Sequence, residues 1–236
     1  MIDPKSFHSC YDLFREYGVS LDTDQYEKLC KYEQMLVEES FRQNVTAVRE
    51  PEQIWVRHFL DSAMLLQYIP DHATVLDMGT GGGIPAIPLA IMNPSLNVTM
   101  LDSELRKIEF CRNVISSLGL DAAAVNGRAE EFARDPIYHE QFDVVVSRAM
   151  ANGSVLTELS VGFLKTGGKL YAMKGKQYEP ETERFASAAS VLCCSVNETI
   201  SYSVCGEQKY LICVQKDSET PLQYPRRYAK IKRSPL

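Results

Sequence analysis

From Thr74 onwards the chain alternates between short apolar runs and longer stretches whose apolar residues recur at three- and four-residue spacing. The short runs, at about 74–78, 97–102, 122–126, 142–147 and 169–174, read as strands. The stretches between them, such as 104–118 and 153–164, read as helices. Strands fed one after another by helices predict a mainly parallel sheet covered on both faces, with right-handed crossovers. After a further helix near 179–190, the runs 196–204 and 209–215 predict a hairpin joined through Cys205-Gly206-Glu207. Tyr210-Leu211-Ile212-Cys213-Val214 is apolar enough for a buried strand. The first 70 residues show no strand-like alternation. Asp22 or Thr23 caps a helix whose stripe is Tyr26, Leu29, Cys30, Leu36 and Val37. A second helix starts near Pro51 and runs to about Tyr68. Asn44-Val45-Thr46-Ala47-Val48 forms a loop between them. Three regions follow: a helical region over 1–70, a main domain over 71–224 and a short tail over 225–236.

The first apolar run ends in an unusual sequence, Asp77-Met78-Gly79-Thr80-Gly81-Gly82-Gly83-Ile84-Pro85, and the second run ends in Asp102. Glycines at every second position let the backbone turn tightly and approach a ligand that a Cβ would exclude. An acid closing the second strand is placed to accept hydrogen bonds from both hydroxyls of a ribose. Together they describe a nucleotide-type cofactor cradle. A dinucleotide fingerprint needs Gly or Ala three residues after its second glycine, and here that residue is Ile84. The spacing Asp77-x-Gly79-x-Gly81-x-Gly83 is instead the pattern of S-adenosylmethionine-dependent methyltransferases, whose ligand carries no phosphate and whose ammonium an acid helps to hold. A nicotinamide or flavin enzyme and a tight turn with no ligand remain the alternatives.

In the second helix, Arg57, His58 and Asp61 interrupt an otherwise apolar stretch and share one face. They read either as a solvated ion-pair face or as a polar patch bordering a substrate cleft.

Composition narrows the class further. A chain of 236 residues with 45% hydrophobic content buries a core of ordinary size. Pro85, Pro88, Asn93 and Pro94 interrupt the longest apolar candidate for a membrane span, and the N-terminus lacks the plan of a secretion signal. The seven cysteines, at 10, 30, 111, 193, 194, 205 and 213, form no CxxC pair and no Cys/His ligand spacing. Reduced thiols in a cytoplasmic protein are expected, and no metal. Net charge is -6, yet residues 225–236 carry five cations and no acid. Cations interleaved with Tyr228 suit RNA, whose phosphates take the charge and whose bases stack on aromatic or guanidinium planes; a basic terminus that merely aids solubility is the bland reading.

The chain resembles the glucose-inhibited division protein B family of bacterial methyltransferases. The resemblance is carried by Asn44-Val45-Thr46-Ala47, Arg57-His58-Phe59-Leu60-Asp61-Ser62, the Gly79–Pro85 loop, Leu101-Asp102-Ser103, Arg128-Ala129-Glu130, Ser147-Arg148-Ala149 and Lys174-Gly175, in matching order over nearly the whole chain. It implies a class I S-adenosylmethionine-dependent methyltransferase fold of Rossmann-like type: a doubly wound α/β sheet, mostly parallel, with a C-terminal antiparallel hairpin and a small N-terminal helical extension. The implied activity is methyl transfer from S-adenosyl-L-methionine to N7 of a guanine in the 530 loop region of 16S ribosomal RNA, by a monomer acting on that RNA or on the small ribosomal subunit. Gly79 and Ile84 would then line the methionine side, Asp102 the ribose, Ala129 and Glu130 the adenine, and Arg148 the place where donor and target meet. Asp77, Gly81 and Gly83 complete the expected cofactor set. The family often has Phe or Leu at Ile84 and Gly at Ala86, so the loop is expected to sit slightly differently.

Guanine N7 already presents a lone pair, so its methylation needs no general base. In keeping with this, the fourth strand is not followed by the Asp/Asn-Pro-Pro-aromatic motif of amino methylation, and no Pro-Cys offers the nucleophile of cytosine C5 methylation. What remains is positioning. Arg148 and Lys174 are expected to orient the guanine, and Arg57, His58 and Asp61 to shape the far wall. A same-fold enzyme acting on a small molecule or protein, and a cofactor-binding RNA assembly factor without activity, are the competing functions.

Overall fold

The structure, a computed structural model, describes residues 2–43, 45–175 and 179–236, with the side chains of 179–182 excepted. Asn44, expected in the loop between the first helices, lies outside the described residues.

The N-terminal region is helical throughout. Ser6 caps α1 (Phe7–Glu16), and Asp22 caps α2 (Thr23–Arg42) in a reciprocal capping box with Gln25. Pro51 opens α3 (Pro51–Ile54), which continues through a π-helical stretch (Trp55–Leu60), α4 (Asp61–Ala63) and a 3-10 turn (Met64–Gln67). The expected single helix is therefore continuous but changes its pitch over Trp55–Leu60, the stretch that contains Arg57 and His58. π-Turns of this kind recur at functional sites.

The rest alternates as expected: β1 (Thr74–Met78), α5 (Ala86–Met92), β2 (Asn97–Asp102), α6 (Leu105–Leu118), β3 (Ala122–Asn126), α7 (Ala129–Phe132), β4 (Phe142–Arg148), α8 (Gly153–Ser160), β5 (Leu164–Lys174), α9 (Glu179–Val191), β6 (Cys194–Val204), β7 (Glu207–Lys216) and α10 (Tyr228–Arg233). The sheet runs β3-β2-β1-β4-β5-β7-β6, parallel except for β7, which pairs antiparallel with both β5 and β6. The β6–β7 turn is the two residues Cys205 and Gly206, both at positive φ, as a type I′ hairpin requires.

The hairpin strands start two residues before the expected 196 and 209, which puts Glu207 in β7, and the largest difference lies between α8 and β5. α8 stops at Ser160 and β5 begins at Leu164, which pairs with Phe142 before a register shift. The strand expected from 169 thus starts five residues earlier, and Gly167 and Gly168 lie inside it at the register shift, with Gly167 at φ 86°.

Side-chain alternation divides the core in two. Val75, Val144, Val146, Tyr171, Met173, Leu211 and Cys213 face one side with α1, α2, the Pro51–Gln67 helix, α5 and α6. Leu76, Met78, Val145, Leu170, Ala172, Ile212 and Val214 face the other, with α7, α8, α9 and α10. The N-terminal helices thus share a core with the sheet: Phe14, Tyr32, Leu36, Trp55 and Phe59 are all fully buried there. β1 pairs with β2 on one side and β4 on the other, so the strand order reverses at β1 and a crevice opens beyond the carboxyl ends of these strands.

Candidate active site

The crevice begins at the glycine loop. Gly79 and Thr80 donate backbone hydrogen bonds to the Leu101 carbonyl at 2.8 and 3.1 Å, and Gly81 donates to Asp102 Oδ2 at 3.0 Å. Gly83 sits at φ 91°, where a Cβ would lie 2.2 Å from Ile87 Cδ1; a Cβ on Gly79, at φ 76°, would press on Met150 at 2.8 Å. Asp77 is fully buried under the loop. Its Oδ2 accepts from Thr80 Oγ1 at 2.6 Å and from Ala86 N at 3.3 Å, and its Oδ1 has no partner among the described residues. Burial pushes its pKa up to about 7 against those two donors. From the N-terminal side, the Tyr32 hydroxyl donates to the Gly82 carbonyl at 2.7 Å, and a Cβ on Gly82 would stand 3.0 Å from Leu36 Cδ1. The helical extension therefore clamps the loop.

Beyond the loop lies a cavity of about 420 Å³ whose wall includes Gly79, Gly81, Asp102, Ala129, Glu130 and Arg148. The structure brings these six expected cofactor residues together. Asp77, Gly83 and Ile84 do not reach its wall: Asp77 braces the loop, and Ile84 is buried in the core beside α5. Both Asp102 oxygens are anchored, Oδ1 by the Glu104 amide at 2.9 Å and Oδ2 by Gly81, so the carboxylate is held at the rim with lone pairs to spare. Glu130 is paired with Arg128 at 2.7 Å. The wall also contains Ser103, Lys107, Met150, Leu159 and Tyr228. Tyr228 follows Glu130 by almost a hundred residues, and no local spacing connects the two.

A second cavity, of about 540 Å³, adjoins the first and shares Arg148, Ala149 and Met150 with it. Asp61, Asn152, Lys174, Tyr202 and Lys209 complete its polar wall. Arg148 ends β4 at the junction, because Ser147 ties β4 to the Met78 carbonyl at 2.9 Å and Ala149 turns the chain away at φ 56°. Its guanidinium donates to the Arg57 carbonyl at 2.8 Å and to His58 Nδ1 at 3.0 Å, and lies 3.8 Å from Asp61. A guanidinium only donates, so His58 Nδ1 is the bare nitrogen and Nε2–H donates to Thr46 Oγ1 at 2.8 Å. Burial and then the Arg148 charge lower the His58 pKa to about 3, which keeps the ring neutral. Asp61 accepts from Tyr202 at 2.9 Å, and burial raises its pKa despite Arg148 and Lys209.

Of the five residues expected around the target, Arg148, Lys174 and Asp61 line the second cavity. His58 stands behind Arg148 and buttresses it. The Arg57 side chain turns away to an ion pair with Glu207 and borders a different depression; only its carbonyl serves the site. Tyr202 and Lys209 were missed, and they are directly opposed across the β6–β7 hairpin. Nothing local to either residue marks them.

The tail is not a free extension. Arg226 is spent on Glu158, which is fully buried and accepts from the Arg226 amide at 2.9 Å, Nε at 2.8 Å and Nη2 at 2.5 Å. The other four cations, Arg227, Lys230, Lys232 and Arg233, are exposed. Among the described residues no helix is long and apolar enough to cross a membrane, and no group of three or more His, Cys, Asp or Glu is placed to hold a metal.

A crevice at the strand-order reversal, a glycine loop and an anchored acid at the second strand define the fold's ligand site but not its family. The model of the family described as rRNA small subunit methyltransferase G (GidB) matches residues 25–211. The chain belongs to that family. A relative named ribosomal RNA small subunit methyltransferase G, from Streptococcus gordonii, is 37% identical over 231 residues, covering 96% of this chain and 98% of the relative. Among solved structures, a branched-chain polyamine synthase mutein from Thermus thermophilus superposes with a TM-score of 0.58 at 12% identity, over 80% of this chain and 64% of that one. A TehB-like SAM-dependent methyltransferase from Corynebacterium glutamicum superposes at 0.50 and 18% identity, over 66% and 86%. Those two similarities concern the fold, which is the class I, Rossmann-like α/β sheet of S-adenosylmethionine-dependent methyltransferases. The first cavity fits the family's donor, S-adenosylmethionine: its floor is a cradle that side chains would fill, and Asp102 and Glu130 offer acceptors where a nucleoside presents hydroxyls and an amine.

Proposed function

We propose that this chain is a cytoplasmic S-adenosylmethionine-dependent methyltransferase that modifies N7 of a guanine in 16S ribosomal RNA. The observation that carries the reading is the pair of adjoining cavities meeting at Arg148. Membership of the small-subunit methyltransferase G family supports the choice of ribosomal RNA as acceptor.

In the first cavity, Asp102 would accept from the ribose hydroxyls, the Ala129–Glu130 step would meet the adenine, and the Gly79–Gly81 backbone would admit the methionine portion. The bound donor supplies a sulfonium methyl group open to direct displacement. Guanine N7 supplies its own lone pair, so no side chain has to remove a proton, and the carboxylate nearest the second cavity, Asp61, is free to act as a structural acceptor for Tyr202. The task left to the protein is alignment. Arg148 is held by the Arg57 carbonyl, His58 and Asp61, so its free donors are fixed in direction before the base arrives. With Lys174 and Lys209 it presents donors toward the guanine O6 edge; adenine offers a donor at the equivalent place and is rejected. The positive charge that moves from sulfur to the purine stays beside Asp61.

Incubating the enzyme with methyl-labelled donor and small subunits from a strain lacking this activity tests the proposal. Mass spectrometry of the RNA should place the label on one guanine N7. Label in protein, in small molecules or on another base atom would refute it.

A further inference from the structure

The C-terminal strap has no role in the reading above, yet it is built into the donor cavity. Its residues lie beyond the 25–211 segment that the family model matches. Five separate contacts seat it: the Arg226–Glu158 pair, Arg134 donating to the Pro225 carbonyl at 2.7 Å from Nη2 and 3.1 Å from Nε, Arg134 donating to the Gln223 carbonyl at 3.2 Å, the buried Pro225, and Ile231, fully buried in the second core. An exposed solubility tail needs none of these. They deliver one side chain, Tyr228, to the wall of the first cavity beside Gly127, Arg128, Ala129, Glu130 and Leu159. There the Arg128 guanidinium stands 5.2 Å from the Tyr228 ring centre, while its Nε is paired with Glu130.

We propose that Tyr228 is a donor-binding residue, the strap supplying an aromatic wall against which the adenine of S-adenosylmethionine packs. The assignment rests on the donor occupying this cavity. A flat ring stiffened by a guanidinium offers an adenine a π surface that the glycine loop and the small Ala129 lack. Glu130 and Tyr228 then hold the same base from different elements, Glu130 through its polar edge and Tyr228 through its face. The strap turns a crevice open to solvent into a walled pocket. Tyr228 binds and does not touch the reacting atoms.

The test is calorimetric titration of the full-length enzyme with S-adenosylmethionine and, separately, with adenosine, for Tyr228→Ala, Tyr228→Leu and Tyr228→Phe. Leu keeps apolar volume for the strap's packing and removes the flat face. Ala and Leu should weaken both ligands alike, by about tenfold, while Phe stays within about twofold of the parent. In turnover, the loss should fall on the KM for donor and spare kcat. Asp102→Ala serves as the separate control on where the donor sits. Unchanged affinities in Ala and Leu, with Asp102→Ala weakened, would overturn the strap assignment alone. Unchanged affinities in all of them would overturn it together with the donor site. A loss that Phe does not restore would also overturn it.

Discussion

The two cavities meet at one arginine but are made in different ways. The donor cavity is floored by backbone: Gly79 and Gly81 at positive φ, with Gly83 shaping the loop from below, main-chain amides anchoring Asp102, and the first residues after β3. The acceptor cavity is walled mostly by side chains, from Asp61 just after the π-helical stretch, the ends of β4 and β5 with the residues that follow them, and the β6–β7 hairpin. A backbone site tolerates little change at its glycines and is written in one stretch of sequence. A side-chain site is dispersed, and its parts can be altered one at a time. The lesson is that the donor half should fail as a unit and the acceptor half by degrees.

The largest effect is expected at Gly83. Replacement by Ala forces a Cβ into a left-handed backbone and against Ile87, a cost on the order of 3 kcal/mol. Thermal melting should fall by roughly 2–4 °C per kcal/mol, and calorimetry should find donor binding lost. Asp102→Ala comes next. It removes a charged acceptor and leaves the Gly81 amide without its partner, so donor affinity should drop by about 10- to 100-fold while the fold persists. If Gly83→Ala bound the donor normally, the backbone account of this half would be broken.

The third test uses pH on the acceptor half. His58 is held neutral, its pKa lowered from 6.5 to about 3, so between those values the unfolded chain binds more protons than the folded one. The stabilisation is complete above pH 6.5 and is lost as pH falls toward 3, by up to roughly 1.4 kcal/mol per unit. In an Asp77→Asn background, a melting series from pH 7 to 4.5 should show a slope that His58→Gln flattens. Asp77 has the opposite trend between pH 3.8 and about 7, where burial keeps its carboxyl protonated in the folded chain, so the Asp77→Asn background removes a slope that would offset that of His58.

Much of the donor half was legible because its chemistry is local. Asp77 to Gly83 and Asp102 sit at strand ends, where periodicity alone locates a ligand. Even so, Asp77 and Gly83 turned out to shape the loop from below and not to line the cavity. The acceptor half was legible only in part. Arg148, Lys174 and Asp61 were found through the resemblance, whereas Tyr202 and Lys209 converge only once β6 and β7 pair. Arg57 was placed by its neighbours in sequence, but the π-turn sends its side chain to Glu207. Tyr228 was noted for RNA stacking and sits on the donor wall. Residues far apart in the chain meet through register and docking, which neither composition nor spacing encodes.

Two smaller effects sharpen the contrast. Lys174→Ala should reduce methyl transfer by about tenfold and leave donor affinity unchanged, since Lys174 lines the acceptor cavity alone. Equal loss of both would erase the division between the halves. The smallest effect lies in the strap. Its four exposed cations should each contribute roughly 0.7 to the log–log salt slope of RNA binding, and Arg226 nothing. Neutralising Arg227, Lys230, Lys232 and Arg233 one at a time, with binding measured over a salt series, reads this directly.

The central claim is that donor and acceptor occupy adjoining cavities joined at Arg148. A crystal structure of the enzyme with S-adenosylmethionine bound tests it most directly. The ribose should lie on Asp102, the adenine between Glu130 and Tyr228, and the methyl group should point past Arg148 into the cavity lined by Asp61, Lys174 and Tyr202. A donor found elsewhere, or one whose methyl group faces away from that cavity, would contradict the account.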